Sequence, residues 1–321
     1  MLILSRNVIR DLDLSLGLEE RCKIPSRLVS CHALEHLKLS GCIINVPRFF
    51  QGFKLLRTLW LEFFDLSGIS IGNLISSCPL LEDLALSIEQ PGCLHILAPN
   101  LRQLNIWGEF HDLCLETPKL ASGSICVVSY GDYRQFSVAK TGKKNNFTQT
   151  LGSLHNVQKL ALIGQFIDYL AVGAVPKNLP MNFNRLIELS VHVCCYDQNQ
   201  TASALCLFQN APNLRVLHIE FMDYWGDDHS QVQIFWKLEA TETCLFKSLE
   251  IVKVGYFQSD ESSFRRTESL VEFSELVQST APVLGKLNII DFEDAVVFCT
   301  KLENFSKLSK KAKIAVVNRW N

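Results

Sequence analysis

A single apolar frame, L-x-x-L-x-L, recurs down the whole chain and restricts its fold more than any bulk property does. Its fullest copy is Leu34-Glu35-His36-Leu37-Lys38-Leu39-Ser40-Gly41-Cys42-Ile43-Ile44, which reads L-x-x-L-x-L-x-x-C-x-L. Further copies stand at Ile9/Leu12/Leu14, Leu56/Leu59/Leu61, Leu81/Leu84/Leu86, Leu101/Leu104/Ile106 and Phe110/Leu113/Leu115. The series continues at Val157/Leu160/Leu162, Leu186/Leu189/Val191, Leu214/Leu217/Ile219, Leu249/Val252/Val254 and Leu284/Leu287/Ile289. Residues at i, i+3 and i+5 suit a short strand. The i+3 and i+5 side chains enter a core, while i+2, i+4 and i+6 face the other way. A unit this short cannot bury its own apolar face, so successive copies must stack.

The frame is that of the leucine-rich repeat, and it predicts an α/β fold: a solenoid with a curved parallel sheet and short helices or turns on its convex side. The chain has 321 residues, 48% of them hydrophobic. A length that would suggest about two compact domains is read instead as one stack. Close-set repeats are expected over 1–116. In 117–150 the frame weakens, with Leu120-Gly123-Ile125 placing glycine in a core slot, and an irregular joint is expected. Longer repeats occupy 151–240 and C-terminal repeats with a cap occupy 241–321. Helices are predicted at Ser70–Cys78, with Ile71, Leu74 and Ile75 on one face; at Ala202–Gln209, with Leu205 and Phe208 inward; and at Glu268–Thr280, with Leu270, Phe273 and Val277 inward and Pro282 as the stop. A last helix from Asp291 to Lys311 and a terminal strand Ile314–Val317 complete the series.

A net charge of −2 disfavours nucleic-acid and acidic-membrane partners. The basic runs Lys143-Lys144, Arg265-Arg266 and Lys310-Lys311-Ala312-Lys313 read as solvated surface. No apolar run approaches a membrane span, and Met1-Leu2-Ile3-Leu4 is too short for a signal-peptide core. The 12 cysteines lack small-scaffold spacing. Cys31 and Cys78 repeat one phase and Cys42 holds the ladder position, so reduced, buried thiols are expected. The glycosylation sequons at Asn146, Asn199 and Asn304 are read as chance matches. The expected location is cytoplasmic, nuclear or both.

Several segments, in this order, resemble the plant F-box/FBD/LRR-repeat proteins. They are Cys78-Pro79-Leu80-Leu81-Glu82-Asp83-Leu84, Ala98-Pro99-Asn100-Leu101-Arg102-Gln103-Leu104 and Gly108-Glu109-Phe110-His111-Asp112-Leu113, then Phe166–Gly173 leading to Leu179-Pro180, and Ala211-Pro212-Asn213-Leu214. Lys247-Ser248-Leu249-Glu250-Ile251-Val252 and Ala281-Pro282-Val283-Leu284-Gly285-Lys286-Leu287 resemble the FBD region. The resemblance implies repeats that hold a protein to be ubiquitinated, and an F-box that binds Skp1 and a cullin ligase. The first frame begins at Ile9, and no Leu-Pro start with an Arg-Trp-rich helix precedes it. The expectation is therefore repeat and FBD parts alone, with Skp1 and cullin as partners only if an F-box is supplied elsewhere. The alternative is a binding module without ligase recruitment, a truncated or sequestering form.

Motifs for chemistry are weak. Gly68-Ile69-Ser70-Ile71-Gly72 matches the nucleophile elbow G-x-S-x-G, but Phe64–Ser67 separates it from the preceding strand, so Ser67 or Ser70 is expected to cap a short helix. The pairs Cys31-His32 and His192-Val193-Cys194-Cys195 lack zinc-ligand spacing, and phosphate-cradling glycine loops are absent. The expectation is no enzyme, no metal and no cofactor. Candidate binding residues are instead the outward, concave-side row: His36, Lys38, Trp60, Glu62, Asp83, Gln103, Asn105, Trp107, Asp112, Glu116, Glu188, His192, His218 and Glu220. Trp60 and Trp107 lead it, because surface tryptophan is costly for solubility and typical of interface anchors.

Overall fold

The structure is a computed structural model. It describes residues 9–16, 22–24, 28, 30–47, 50–67, 70–88, 93–110, 112–128, 146–172, 179, 181–222, 236, 245–257, 263–290 and 312–317. It divides into two compact units: Met1–Ser129 with Lys144–Val157, and Tyr130–Lys143 with Gln158–Asn321.

In the first unit the elements are β1 (Asp11–Ser15), β2 (Cys22–Lys23), β3 (His36–Ser40), β4 (Cys42–Asn45), β5 (Thr58–Glu62), β6 (Asp65–Ser67) and α1 (Ile71–Ser76). They continue with β7 (Asp83–Ile88), β8 (Cys93–Leu97), β9 (Gln103–Gly108), β10 (Asp112–Glu116), β11 (Ser122–Val127) and α2 (Phe147–Ser153). The frames at Ile9, Leu34, Leu56, Leu81 and Leu101 become β1, β3, β5, β7 and β9, and with β11 they form one parallel ladder in that order. Registers align the frames: Leu37 pairs with Leu59, Leu59 with Leu84, and Leu84 with Leu104. The short strands β2, β4 and β6 make a second sheet, and β8 and β10 a third.

The second unit repeats the scheme with longer connections. Its elements are β12 (Lys159–Gly164), α3 (Phe166–Ala171), β13 (Glu188–Val193), α4 (Gln198–Gln209), β14 (Val216–Met222), β15 (Ile251–Phe257), α5 (Ser263–Thr280), β16 (Lys286–Ile290) and β17 (Lys313–Val317). The six strands pair parallel in chain order.

The register has a recurring cause. The carbonyl of the residue after each frame's first position accepts two N–H groups from the next strand's start. Arg57 and Thr58 donate to Glu35, Glu82 and Asp83 to Arg57, Arg102 and Gln103 to Glu82, and Glu250 and Ile251 to Arg215. Side chains tie the preceding turns in the same way: Asn100 donates to the Pro79 carbonyl, Asn213 to that of Asn184 and Ser248 to that of Pro212. Frame leucines then fill the core. Leu34, Leu39, Leu56, Leu59, Leu61, Leu81 and Leu84 have no exposed surface, each burial worth about 1.5–3 kcal/mol. In the second unit Phe221, Phe273 and Trp236 form an aromatic cluster with centroids 4.9–5.9 Å apart.

Some expectations are corrected and others hold. The frame at Phe110 does not join the ladder: β10 pairs with β8, so Asp112 and Glu116 lie on a different sheet from the other candidate residues. β10 begins only four positions after β9 ends, and so short a connection cannot bring the chain back to the ladder. Gly123 does occupy a core slot, buried and paired with Leu104, and β11 around it is a regular ladder strand. Helix α4 starts at Gln198, because Asp197 caps it by accepting from the Asn199 and Gln200 N–H groups. Its inward face is Ala204, Leu207 and Phe208, with Leu205 half-exposed. The thiols are not uniformly buried: Cys93 and Cys114 are exposed. Helix α1 buries Leu74 and Ile75, and Ser70 caps it by accepting from the Asn73 N–H at 3.2 Å. Helix α5 buries Leu270, Phe273 and Val277 and ends at Thr280. The helix expected over 291–311 lies outside the described residues.

Candidate functional site

Alternation in each ladder turns the i+2, i+4 and i+6 side chains outward. In the first unit one cross-strand row runs Asp13, Lys38, Trp60, Ala85, Asn105, Ser124. Trp60 is half-buried and held on two sides. Lys38 Nζ stands 4.1 Å from the indole centroid, a contact worth about 0.5–1 kcal/mol at an exposed site. The indole N–H donates to Glu62 Oε1 at 2.6 Å. Lys38 is also 4.0 Å from Asp13. Ala85, the next residue across, is small. The flanking row pairs Asp11, His36, Thr58, Asp83, Gln103 and Ser122. There His36 Nδ1 lies 3.0 Å from Thr58 Oγ1 and its Nε2 3.8 Å from Asp11. Burial pushes the Asp83 carboxyl above its ordinary value. Trp107, half-buried, has Ser87 and Cys126 as cross-strand neighbours. Both are nearly covered, and burial raises the Cys126 thiol to about 11.

In the second unit four candidate residues come together. His192, 9% exposed, accepts at Nδ1 from the Gly164 N–H (3.2 Å) and faces Glu220 with Nε2 at 3.3 Å. His218 Nε2 lies 4.0 Å from Glu188 Oε1, and Glu188 pairs with Lys159 at 3.0 Å. Burial foremost, then the charge of Lys253, lowers the His218 pKa against the opposite pull of Glu188 and Glu220. This is a mixed-charge patch with partly desolvated members, where hydrogen bonds and charges count for more than on open surface.

Asp112 and Glu116 stand elsewhere, on β10, beside two residues that sequence reasoning passed over. Glu116 Oε1 is 2.8 Å from His95 Nε2, and Cys93 donates to Asp112 at 3.2 Å. No local motif signals these contacts, since they arise from pairing β8 with β10 some twenty positions apart.

The nucleophile-elbow reading finds no support: Ser70 serves as a helix cap. Among the described residues no helix is long and apolar enough to cross a membrane.

The profile of the family described as FBD-associated F-box protein At5g56370, LRR repeats, matches residues 2–132. The Arabidopsis thaliana F-box/FBD/LRR-repeat protein At1g13570 is 33% identical over 300 residues, covering 90% of this chain and 67% of that protein. The F-box protein At3g62430, from the same plant, is 26% identical over 313 residues, covering 83% and 68%. The FBD-associated F-box protein At5g56370 of A. thaliana is 26% identical over 243 residues, covering 71% and 55%. The chain thus spans about two thirds of the first two relatives and just over half of the third.

Proposed function

The chain belongs to the F-box/FBD/LRR-repeat family, and we propose that it is a non-enzymatic protein-binding scaffold whose outward ladder face holds a target, as the substrate-recognition part of a ubiquitin-ligase adaptor. The observation that carries this reading is Trp60. A half-exposed indole fixed by Lys38 and Glu62 is a preorganised aromatic anchor, which loses little rotamer freedom on binding. Trp107 on the same face of the same unit supplies a second anchor. The polar residues around them, His36, Asp83, Gln103 and Asn105, form the rim. The second unit carries its own mixed-charge patch of Glu188, His192, His218 and Glu220, of the kind that sets specificity and encounter rate more than raw affinity.

The test is pull-down of a partner by the chain and by a Trp60→Ala, Trp107→Ala double variant. The double variant is expected to lose the partner, by about 2 kcal/mol or more per anchor, with an unchanged circular dichroism spectrum. Retained capture would remove the reading. Ligase recruitment is tested separately, by co-purification with Skp1. A chain that binds its target without Skp1 acts as a binding module. Reaction of Ser70 with a fluorophosphonate probe would contradict the non-enzymatic assignment.

A further inference from the structure

The two-stranded sheet of the first unit carries a donor set that the binding-face reading does not use. Its strands run parallel with Cys93 opposite Asp112, His95 opposite Cys114 and Leu97 opposite Glu116. Leu94, Ile96, Leu113 and Leu115 are buried, so alternation turns Cys93, His95, Asp112, Cys114 and Glu116 to the other face. Donor atoms of His95, Cys114 and Glu116 all lie within 4.8 Å of one another, on exposed side chains.

We propose that His95, Cys114 and Glu116 bind a divalent cation of the zinc class, with water completing the coordination. Three arguments support it. First, an imidazole, a thiol and a carboxylate are the three donor types that zinc takes from proteins, and a set of three leaves a fourth tetrahedral position open. A purely acidic cluster would favour calcium or magnesium, or simply solvent; the sulfur and nitrogen here favour a softer ion.

Second, the spacing suits the ion. Bonds of about 2.0–2.3 Å place tetrahedral donors roughly 3.3–3.7 Å apart. The His95–Glu116 separation of 2.8 Å is slightly below that range, and the 4.8 Å limit on the set is somewhat above it. Exposed side chains close such differences by rotation.

Third, the backbone beneath is anchored. The Leu113 N–H donates to Asn146 Oδ1 at 3.0 Å, and the Leu113 carbonyl accepts from Thr150 Oγ1 at 2.6 Å. The otherwise open edge of β10 is therefore closed by α2, and Cys114 and Glu116 project from a fixed strand. Cys93 is not part of the set: its thiol donates to Asp112 at 3.2 Å, and its sulfur is not among the donor atoms that lie within 4.8 Å of one another. Binding releases the Cys114 thiol proton and joins β8 to β10 through the ion.

The experiment is a Co2+ titration of the reduced, chelator-treated full chain, followed by absorbance. A single equivalent should give a thiolate-to-cobalt charge-transfer band and the visible bands of a tetrahedral ion, both removed by Zn2+. Cys114→Ser should abolish the charge-transfer band. His95→Ala and Glu116→Gln should each weaken binding by more than about ten-fold, the loss seen when even a ligand's supporting hydrogen bond is removed. Cys93→Ser should leave the band unchanged. All the substituted side chains are exposed, and matching circular dichroism confirms that each variant folds. Absence of the band, its survival in Cys114→Ser, or its loss in Cys93→Ser overturns the proposal.

Discussion

At Gly108 the chain leaves no room for a side chain. Its φ of +144° lies where L-residues are strained, and a Cβ built there would stand 2.0 Å from the Ile88 carbonyl oxygen. Gly108→Ala is expected to cost about 1–3 kcal/mol or more, seen as a lower urea midpoint for the first unit. An unchanged midpoint would mean that the close approach of β9 to β7 is not as described. Ser70 is a milder case: Ser70→Ala removes the cap on α1 and should cost about 1 kcal/mol. At this scale the frame leucines were legible, because each is defined by its neighbours two, three and five positions away. Leu205 was not, since the phase of α4 depends on where Asp197 starts it and on which side the ladder lies. The hold on Trp60 was also out of reach, because Lys38 and Glu62 meet the indole only once the strands are paired.

Among elements, strand existence followed directly from the repeat, and strand membership did not. The frame at Phe110 has the same spacing as its neighbours yet builds β10 in a separate two-stranded sheet with β8. Local alternation fixes which side chains are buried but not which strand lies alongside. The reverse holds for β11, where glycine hides a regular ladder strand and the neighbouring strand β9 supplies the packing. The β13–β14 pair carries its own prediction. The folded environment lowers the His218 pKa below its ordinary value of 6.5, so the unfolded chain binds the proton more readily. Stability of the second unit should therefore be fully present above 6.5 and fall as the pH drops below it toward the lowered value. Thermal melts between about pH 7.5 and 5 check this, and His218→Gln should flatten that part of the profile. An identical slope in the variant would assign the acid sensitivity to other groups.

For the whole molecule, the repeat alone predicted the α/β leucine-rich-repeat fold, because stacking depends only on a periodic apolar frame. The joint expected over 117–150 is read from a weakening of the apolar frame over many positions and not from any single residue. The candidate face follows from the ladder, but its occupant does not, since a row of mixed polar groups and tryptophans suits many protein surfaces. The cation set is further still from the sequence: a histidine in one strand meets a cysteine and a glutamate in another only through their pairing. The claim that the outward ladder face holds the partner is tested most directly by site-specific photocrosslinking in a plant extract. A photoreactive residue at Asn105, two positions before Trp107 and in the same cross-strand row as Trp60, should capture a discrete partner, and the same residue at Leu97 on β8 should not. Capture from Leu97 with none from Asn105 would contradict the account.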